Sequence, residues 1–180
     1  SMKHTPISRR DFLKNLGIAG AGTLLAASPW LSAFSEVVET SGEKCRLAII
    51  GPGSRGRFLM SFLVQNPKVE IVALCDIYQP SIEKALELAP KAKVYDDYRE
   101  ILEDKTVDAV LVATPLNSHC QIVLDAFDAG KHVFCEKSIG FTMEECFRIY
   151  NKHISTEKVF FTGQQRLFDP RYIKAMEMIH

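Results

Sequence analysis

Two hydrophobic rhythms alternate along this chain from position 46 onward. Short apolar runs come first, and each gives way to a stretch whose apolar residues return at helical spacing. The first run, residues 46–50, contains Leu47, Ala48, Ile49 and Ile50. After it Phe58, Leu59, Phe62 and Leu63 recur at i, i+1, i+4 and i+5, which predicts a helix over residues 54–65 with those four side chains inward. Asn66-Pro67 ends that helix, because a residue before proline is pushed out of the helical region. Residues 69–74 are apolar enough for burial on both faces, as parallel strands require.

The alternation continues. Pro80 suits the first turn of a helix, with Ile82, Ala85, Leu86 and Ala89 as its inner face. Residues 93–95 form a short third strand, and Asp97-x-x-Glu100 resembles a capping box opening a helix to about residue 103. The fourth strand, residues 108–113, is broken by Thr114-Pro115. Asn117 is the expected cap of a helix to residue 129, with Ile122, Val123, Ala126 and Phe127 buried and Gly130 as its stop. Residues 132–135 are a fifth strand. Thr142-x-x-Glu145 is a second capping box, leading a helix through residue 150. Residues 159–162 are a sixth strand, and residues 171–180 read as helix. Strands alternating with helices in this way argue for an α/β fold, a doubly wound parallel sheet with right-handed crossovers.

Composition narrows the partners. Lys plus Arg equals Asp plus Glu, 22 each, so no charge excess points to nucleic acid or a membrane surface. The five cysteines, at 45, 75, 120, 135 and 146, lack the spacing of a disulfide framework or a zinc site, and no metal is expected. Cys75 and Cys135 fall in apolar runs and read as small buried hydrophobes.

The first 43 residues read differently. Ser8-Arg9-Arg10-Asp11-Phe12-Leu13-Lys14 resembles the twin-arginine export signal S-R-R-x-F-L-K, and a Gly- and Ala-rich apolar stretch follows at residues 16–27. That stretch is short and small-residued for a spanning helix. Ala33-Phe34-Ser35 offers a cleavage site. Residues 1–35 are therefore expected to be a signal peptide, with Ser1 as a tag remnant ahead of Met2, and residues 36–43 a linker. The dinucleotide-binding domain is expected over residues 44–163, and the protein outside the cytoplasm, with no membrane attachment once the signal is removed.

Candidate chemistry gathers where the strands end. The first strand breaks into Gly51-Pro52-Gly53-Ser54-Arg55-Gly56, a G-x-G-x-x-G turn opening a helix, which is how a chain approaches a dinucleotide pyrophosphate. Gly51 allows the tight turn, Gly53 leaves no side chain in the way, and Gly56 lets helix and strand approach. Asp76 closes the second strand 20 residues beyond Gly56, where a carboxylate accepts bonds from adenosine ribose hydroxyls and repels a 2′-phosphate. NAD is thus expected over NADP. Arg55 either lies along the pyrophosphate or is solvated. Thr114 and Pro115 end the fourth strand across the switch point, and backbone and hydroxyl there suit a nicotinamide ribose. His119, one turn into the next helix, reads more readily as structural. Lys137 follows the fifth strand: it is either a group that orients a substrate hydroxyl and moves its proton, or an exposed loop lysine.

The ordered set is specific beyond its parts. Gly51 to Gly56, Asp76, the run Val112-Ala113-Thr114-Pro115-Leu116-Asn117-Ser118-His119, Gly130 to Lys137, and Gln165-Arg166-x-x-Asp169-Pro170-x-Tyr172 together resemble the N-terminal domain of the Gfo/Idh/MocA family of NAD(P)-dependent oxidoreductases over residues 44–180. The resemblance implies that Gly51, Gly53, Ser54, Arg55 and Gly56 hold pyrophosphate and Asp76 the ribose. It places Thr114, Pro115, Asn117, His119 and Glu136 around the nicotinamide half, and makes Lys137 the catalytic lysine of the E-K-P motif. It further implies a sugar or polyol substrate, a second α/β substrate domain, and a homo-oligomer for the full-length protein.

Two departures stand out. Ser138 replaces the proline of E-K-P, and residues 164–180 reach only the crossing toward the second domain, so the chain is expected to be a fragment that binds NAD without turning over sugar. The leading expectation is an exported NAD-dependent dehydrogenase. A glycosidase that keeps NAD bound and oxidises its sugar transiently is the alternative, and a non-catalytic dinucleotide-binding module a third.

Overall fold

The computed structural model describes residues 44–164 and 169–179. The proposed export signal, its cleavage site and linker lie outside the described residues, as do Gln165 and Arg166 of the crossing motif.

Among the described residues six strands and six helices alternate: β1 (Cys45–Ile50), α1 (Ser54–Leu63), β2 (Val69–Cys75), α2 (Gln79–Leu86), β3 (Lys93–Tyr95), α3 (Tyr98–Glu103), β4 (Ala109–Val112), α4 (Leu116–Asp128), β5 (His132–Cys135), α5 (Met143–Ile154), β6 (Phe160–Thr162) and α6 (Pro170–Ile179). The strands form one sheet in the order β3-β2-β1-β4-β5-β6, every pair parallel. Winding starts at β1 and runs first to one side, then to the other. The expected doubly wound sheet is the observed one, with its topological switch between β1 and β4.

Alternate side chains of β1 serve two cores. Leu47 and Ile49 pack with Leu59, Met60 and Leu63 of α1 and Ile82 and Ala85 of α2. Ala48 and Ile50 pack with Ile101 and Leu102 of α3, Val123, Ala126 and Phe127 of α4, and Ile149 of α5. Strands buried on both faces explain the continuous apolar runs. Cys75 and Cys135 sit in this core at 5% and 0% exposure, as small hydrophobes. Burial pushes the Cys135 thiol far up and the Cys75 thiol to about 11.

Several element-level expectations need correction. The inner face of α1 is Gly56, Leu59, Met60 and Leu63, spaced i, i+3, i+4, i+7. Phe58 is exposed and meets Phe62 edge-to-face at 5.1 Å on the outer flank, because the sheet lies one position further round the helix than the Phe-Leu pairs suggest. The helix itself ends at Leu63. Asn117 does not cap α4: the helix begins at Leu116 after Pro115, whose φ of −58° leads into the helix with no side-chain cap. Asp97 caps α3 through the Arg99 amide and is not the reciprocal box with Glu100. The Thr142–Glu145 box is complete in both directions, and α5 continues to Ile154.

Candidate functional site

Register brings the strand ends into one row. Ile50 is level with Cys75 on one side and Val112 on the other, Val112 with Cys135, and Cys135 with Thr162. The next residue on each strand is therefore also in line: Asp76, Gly51, Ala113, Glu136 and Gly163. Backbone bonds continue across this row, from Gly51 N–H to the Cys75 carbonyl at 2.8 Å, from Ala113 to Ile50 at 2.9 Å, from Glu136 to Val112 at 2.9 Å and from Gly163 to Cys135 at 2.9 Å. The carboxyl edge of the sheet is where open α/β folds take ligands.

At the β1 end the chain turns with Gly51 at φ +84°, a conformation L side chains rarely adopt, and a Cβ there would lie 2.7 Å from the Thr114 nitrogen. A Cβ on Gly56 would lie 2.5 Å from the Gly51 carbonyl oxygen, so α1 begins directly against the turn. Gly53 differs from both: nothing lies within 4 Å of the position its Cβ would take. Among the described residues, the position of that Cβ is open. Gly53 is also the N-cap of α1 and supplies no side-chain cap, while Ser54 behind it is exposed. Backbone N–H groups at an uncapped helix start, beside open space, fit a pyrophosphate.

Asp76 flanks the turn. One carboxylate oxygen accepts the Tyr78 N–H at 2.9 Å in a tight local turn, and Ile77 beside it is 99% exposed. Asp97, Asp76, Asp96 and Glu100 together add to the rise of the Cys75 thiol, after burial, so this corner is electronegative. A ribose diol suits it better than a further phosphate.

The β4 and β5 ends are tied to each other. Ser118 donates its hydroxyl to Thr114 Oγ1 at 2.8 Å. His119, 2% exposed, sets Nε2 2.8 Å from the Thr114 carbonyl oxygen and Nδ1 2.7 Å from that of Ser138. A ring so placed has no face left for a cofactor. The structure puts His119 beneath the site, whereas Pro115 and Asn117 are exposed at its rim. Glu136 is 4% exposed, accepts the Lys137 N–H at 3.1 Å and forms an ion pair with Arg55 at 2.6 Å. Arg55 is thus held by a carboxylate, and its guanidinium also lies 5.2 Å from the Phe58 ring centre. Lys137 is exposed, and the peptide bond joining it to Ser138 is cis.

The structure adds two residues to those the sequence singled out. Gly163 lets β6 end against Glu136, since a Cβ there would be 2.8 Å from the carboxylate. Ser118 steadies Thr114. The T-P-x-x-S spacing was available for the second; nothing local marks the first. Among the described residues no group of three His, Cys, Asp or Glu side chains gathers to hold a metal.

A parallel sheet wound from its middle, with an open glycine turn and a strand-end carboxylate at the switch point, defines a dinucleotide-binding Rossmann domain. The family follows from the sequence as well: residues 45–164 match the Gfo/Idh/MocA oxidoreductase family, NAD-binding Rossmann fold, and the chain belongs to it. It is 30% identical to a glycosyl hydrolase family 109 protein of Stenotrophomonas maltophilia over 96% of this chain and 39% of the relative. It is 31% identical to an alpha-N-acetylgalactosaminidase of Shewanella oneidensis, covering 84% and 38%. Among solved structures, the myo-inositol dehydrogenase of Lactobacillus casei in complex with NAD(H) and myo-inositol superposes with a TM-score of 0.70 at 32% identity, covering 76% of this chain and 42% of that one. The chain thus spans about two-fifths of the length of these relatives.

Proposed function

We propose that this chain is the cofactor half of an exported enzyme that takes NAD and acts on a hydroxyl of a sugar or polyol. The observation that carries the reading is the open turn at Gly53, set at an uncapped helix start beside Asp76. Gly51, Gly53, Ser54 and Gly56 present backbone to the pyrophosphate, with Arg55 at its flank. Asp76 accepts from the adenosine ribose and disfavours a 2′-phosphate, giving NAD over NADP. Thr114, Pro115 and Asn117 border the nicotinamide half, and Glu136 closes it from below. NAD bound there supplies the hydride acceptor. Lys137, exposed one residue past Glu136, orients the substrate hydroxyl and takes up or relays its proton. The residues that read the sugar belong to the part of the relatives this chain does not span. Export rests on the Ser8–Lys14 signal, and a tightly held NAD suits a compartment without a free pool.

A second reading starts with the same residues. One relative is named a glycosyl hydrolase family 109 protein and another an alpha-N-acetylgalactosaminidase, which favours a glycosidase in which NAD is kept and the sugar oxidised only transiently. Fluorescence titration of the chain with NADH and NADPH tests the cofactor, and tighter NADH is expected. The complete reading frame, given inositols, sugars and a nitrophenyl N-acetylgalactosaminide, separates the two chemistries. Net NADH with a polyol marks the dehydrogenase, and nitrophenol release without net NADH marks the glycosidase. No binding of either dinucleotide would sink both readings.

A further inference from the structure

We infer that His119 is a positioning residue, a rigid strut that joins the Thr114 loop and the Lys137–Ser138 loop into one body, so that a cofactor bound at Thr114 fixes Lys137. The inference rests on the cofactor reading above.

An imidazole is a flat ring with two nitrogens a fixed distance apart, and here each faces a carbonyl oxygen of a different loop: Ser138 at 2.7 Å from Nδ1, Thr114 at 2.8 Å from Nε2. A ring nitrogen that carries a proton donates to the carbonyl it faces, so the doubly protonated ring bonds both loops, whereas a neutral ring bonds one carbonyl and only packs against the other. The ring is 2% exposed and fills the gap between the loops, so its loss leaves them without their link. The ring's own base is firm. His119 lies in the first turn of α4, next to Cys120 at 3% exposure and ahead of Ile122 and Val123, which are core residues.

What it links is specific. Thr114 follows the end of β4 at the nicotinamide half, and Ser138 follows Lys137 directly. On its other flank Lys137 donates its N–H to Glu136, which Arg55 holds from the glycine turn. The backbone of Lys137 is therefore bracketed, by Glu136 before it and by the His119–Ser138 contact after it. In the E-K-P pattern a proline ring would restrict the residue after the lysine. Here that residue is Ser138, and a side chain 19 positions away holds its carbonyl. His119 acts on the lysine through this carbonyl, and its other nitrogen meets the Thr114 backbone at the cofactor edge.

The test uses the 180-residue chain and reads Lys137 without needing turnover. The exposed amines are labelled with acetic anhydride in the presence and absence of NAD, and acetylation at Lys137 is quantified by peptide mass spectrometry against exposed Lys105. NADH affinity is measured in parallel. In the parent chain NAD should shield Lys137 several-fold while Lys105 is unchanged. In His119→Phe, which keeps a flat ring and removes both nitrogens, the shielding should largely vanish and NADH affinity fall by roughly tenfold, the scale of one or two lost hydrogen bonds. His119→Gln, which reaches one carbonyl and not both, should retain affinity better than shielding. A His119→Phe chain that folds and still shields Lys137 like the parent overturns the strut. If that variant does not fold, parent-level shielding in His119→Gln overturns it equally. Should the parent bind no NADH, the cofactor reading falls and this inference with it; should the parent bind and the variants behave like it, only the strut falls.

Discussion

The two halves of the carboxyl edge are built on opposite plans. The β1–β2 half is made of things left out: no side chain at Gly53, no cap on α1, an acidic corner at Asp76 with Ile77 standing clear in solvent. The β4–β5 half is made of ties: Ser118 to Thr114, His119 to two carbonyls, Arg55 to Glu136. The division matches the proposed function. A pyrophosphate needs backbone N–H groups and room, which any bound dinucleotide finds in the same place. Hydride and proton movement need a reacting centre held to within a fraction of an ångström, which takes cross-links between loops. The Arg55–Glu136 pair reaches from the open half into the tied half.

The largest effect expected from breaking this arrangement lies in the open half, and it differs between two glycines three residues apart. Gly56→Ala places a Cβ 2.5 Å from the Gly51 carbonyl oxygen, which is backbone and has nowhere to go. The variant should lose both melting temperature and NADH binding, or fail to fold. Gly53→Ala meets no protein atom within 4 Å. It should melt like the parent and still lose NADH affinity by about tenfold or more, as a methyl group occupies space meant for phosphate and displaces its hydrogen bonds. Thermal melts and NADH titration of the pair decide the matter. Equal NADH affinity in Gly53→Ala and the parent would mean the open space is not the phosphate site.

A smaller effect is expected in the tied half. Glu136→Gln keeps the shape of the side chain and removes the charge that holds Arg55. The pair is asymmetric, with the carboxylate side chain 6% exposed and the arginine 34%, so solvent compensates the arginine and the loss should be about 1–3 kcal/mol of stability. Gly163→Ala disturbs the same carboxylate from the opposite side, since its Cβ would press within 2.8 Å of it. If both act through Glu136, the double variant should cost less than the sum of the two, read by urea denaturation. Strict additivity would show that Gly163 and Glu136 contribute separately.

This contrast also explains what was legible in the sequence. The open half uses local signals: glycines at fixed spacing, an apolar run before them, a carboxylate 20 residues on. The six-strand alternation is equally local, since each run declares its own burial. Two ties of the tied half, His119 to Ser138 and Arg55 to Glu136, join positions 19 and 81 residues apart, beyond any local motif. His119 could be read as structural from its place on a helix, yet what it holds became visible only with Ser138 beside it. The misplaced face of α1 and the unused cap at Asn117 have one cause. A periodic pattern gives the spacing of a buried face, while packing and Pro115 decide its phase and its starting residue.

The smallest effect concerns which dinucleotide is preferred, and it separates two jobs that Asp76 does at once. One carboxylate oxygen accepts the Tyr78 N–H and shapes the turn; the charge of the group meets whatever lies at the ribose. Asp76→Asn keeps an oxygen for Tyr78 and discards the charge, while Asp76→Ala discards both. If the charge sets the preference, both variants should narrow the gap between NADH and NADPH by about tenfold, the value of one charge-assisted hydrogen bond. The preference should not reverse, because Asp96, Asp97 and Glu100 keep the corner negative, the same groups that help raise the Cys75 thiol. If Asp76→Asn discriminates like the parent while Asp76→Ala does not, the turn and not the charge is what reads the ribose. Unchanged discrimination in both would remove Asp76 from cofactor selection and leave it as the residue that ends β2.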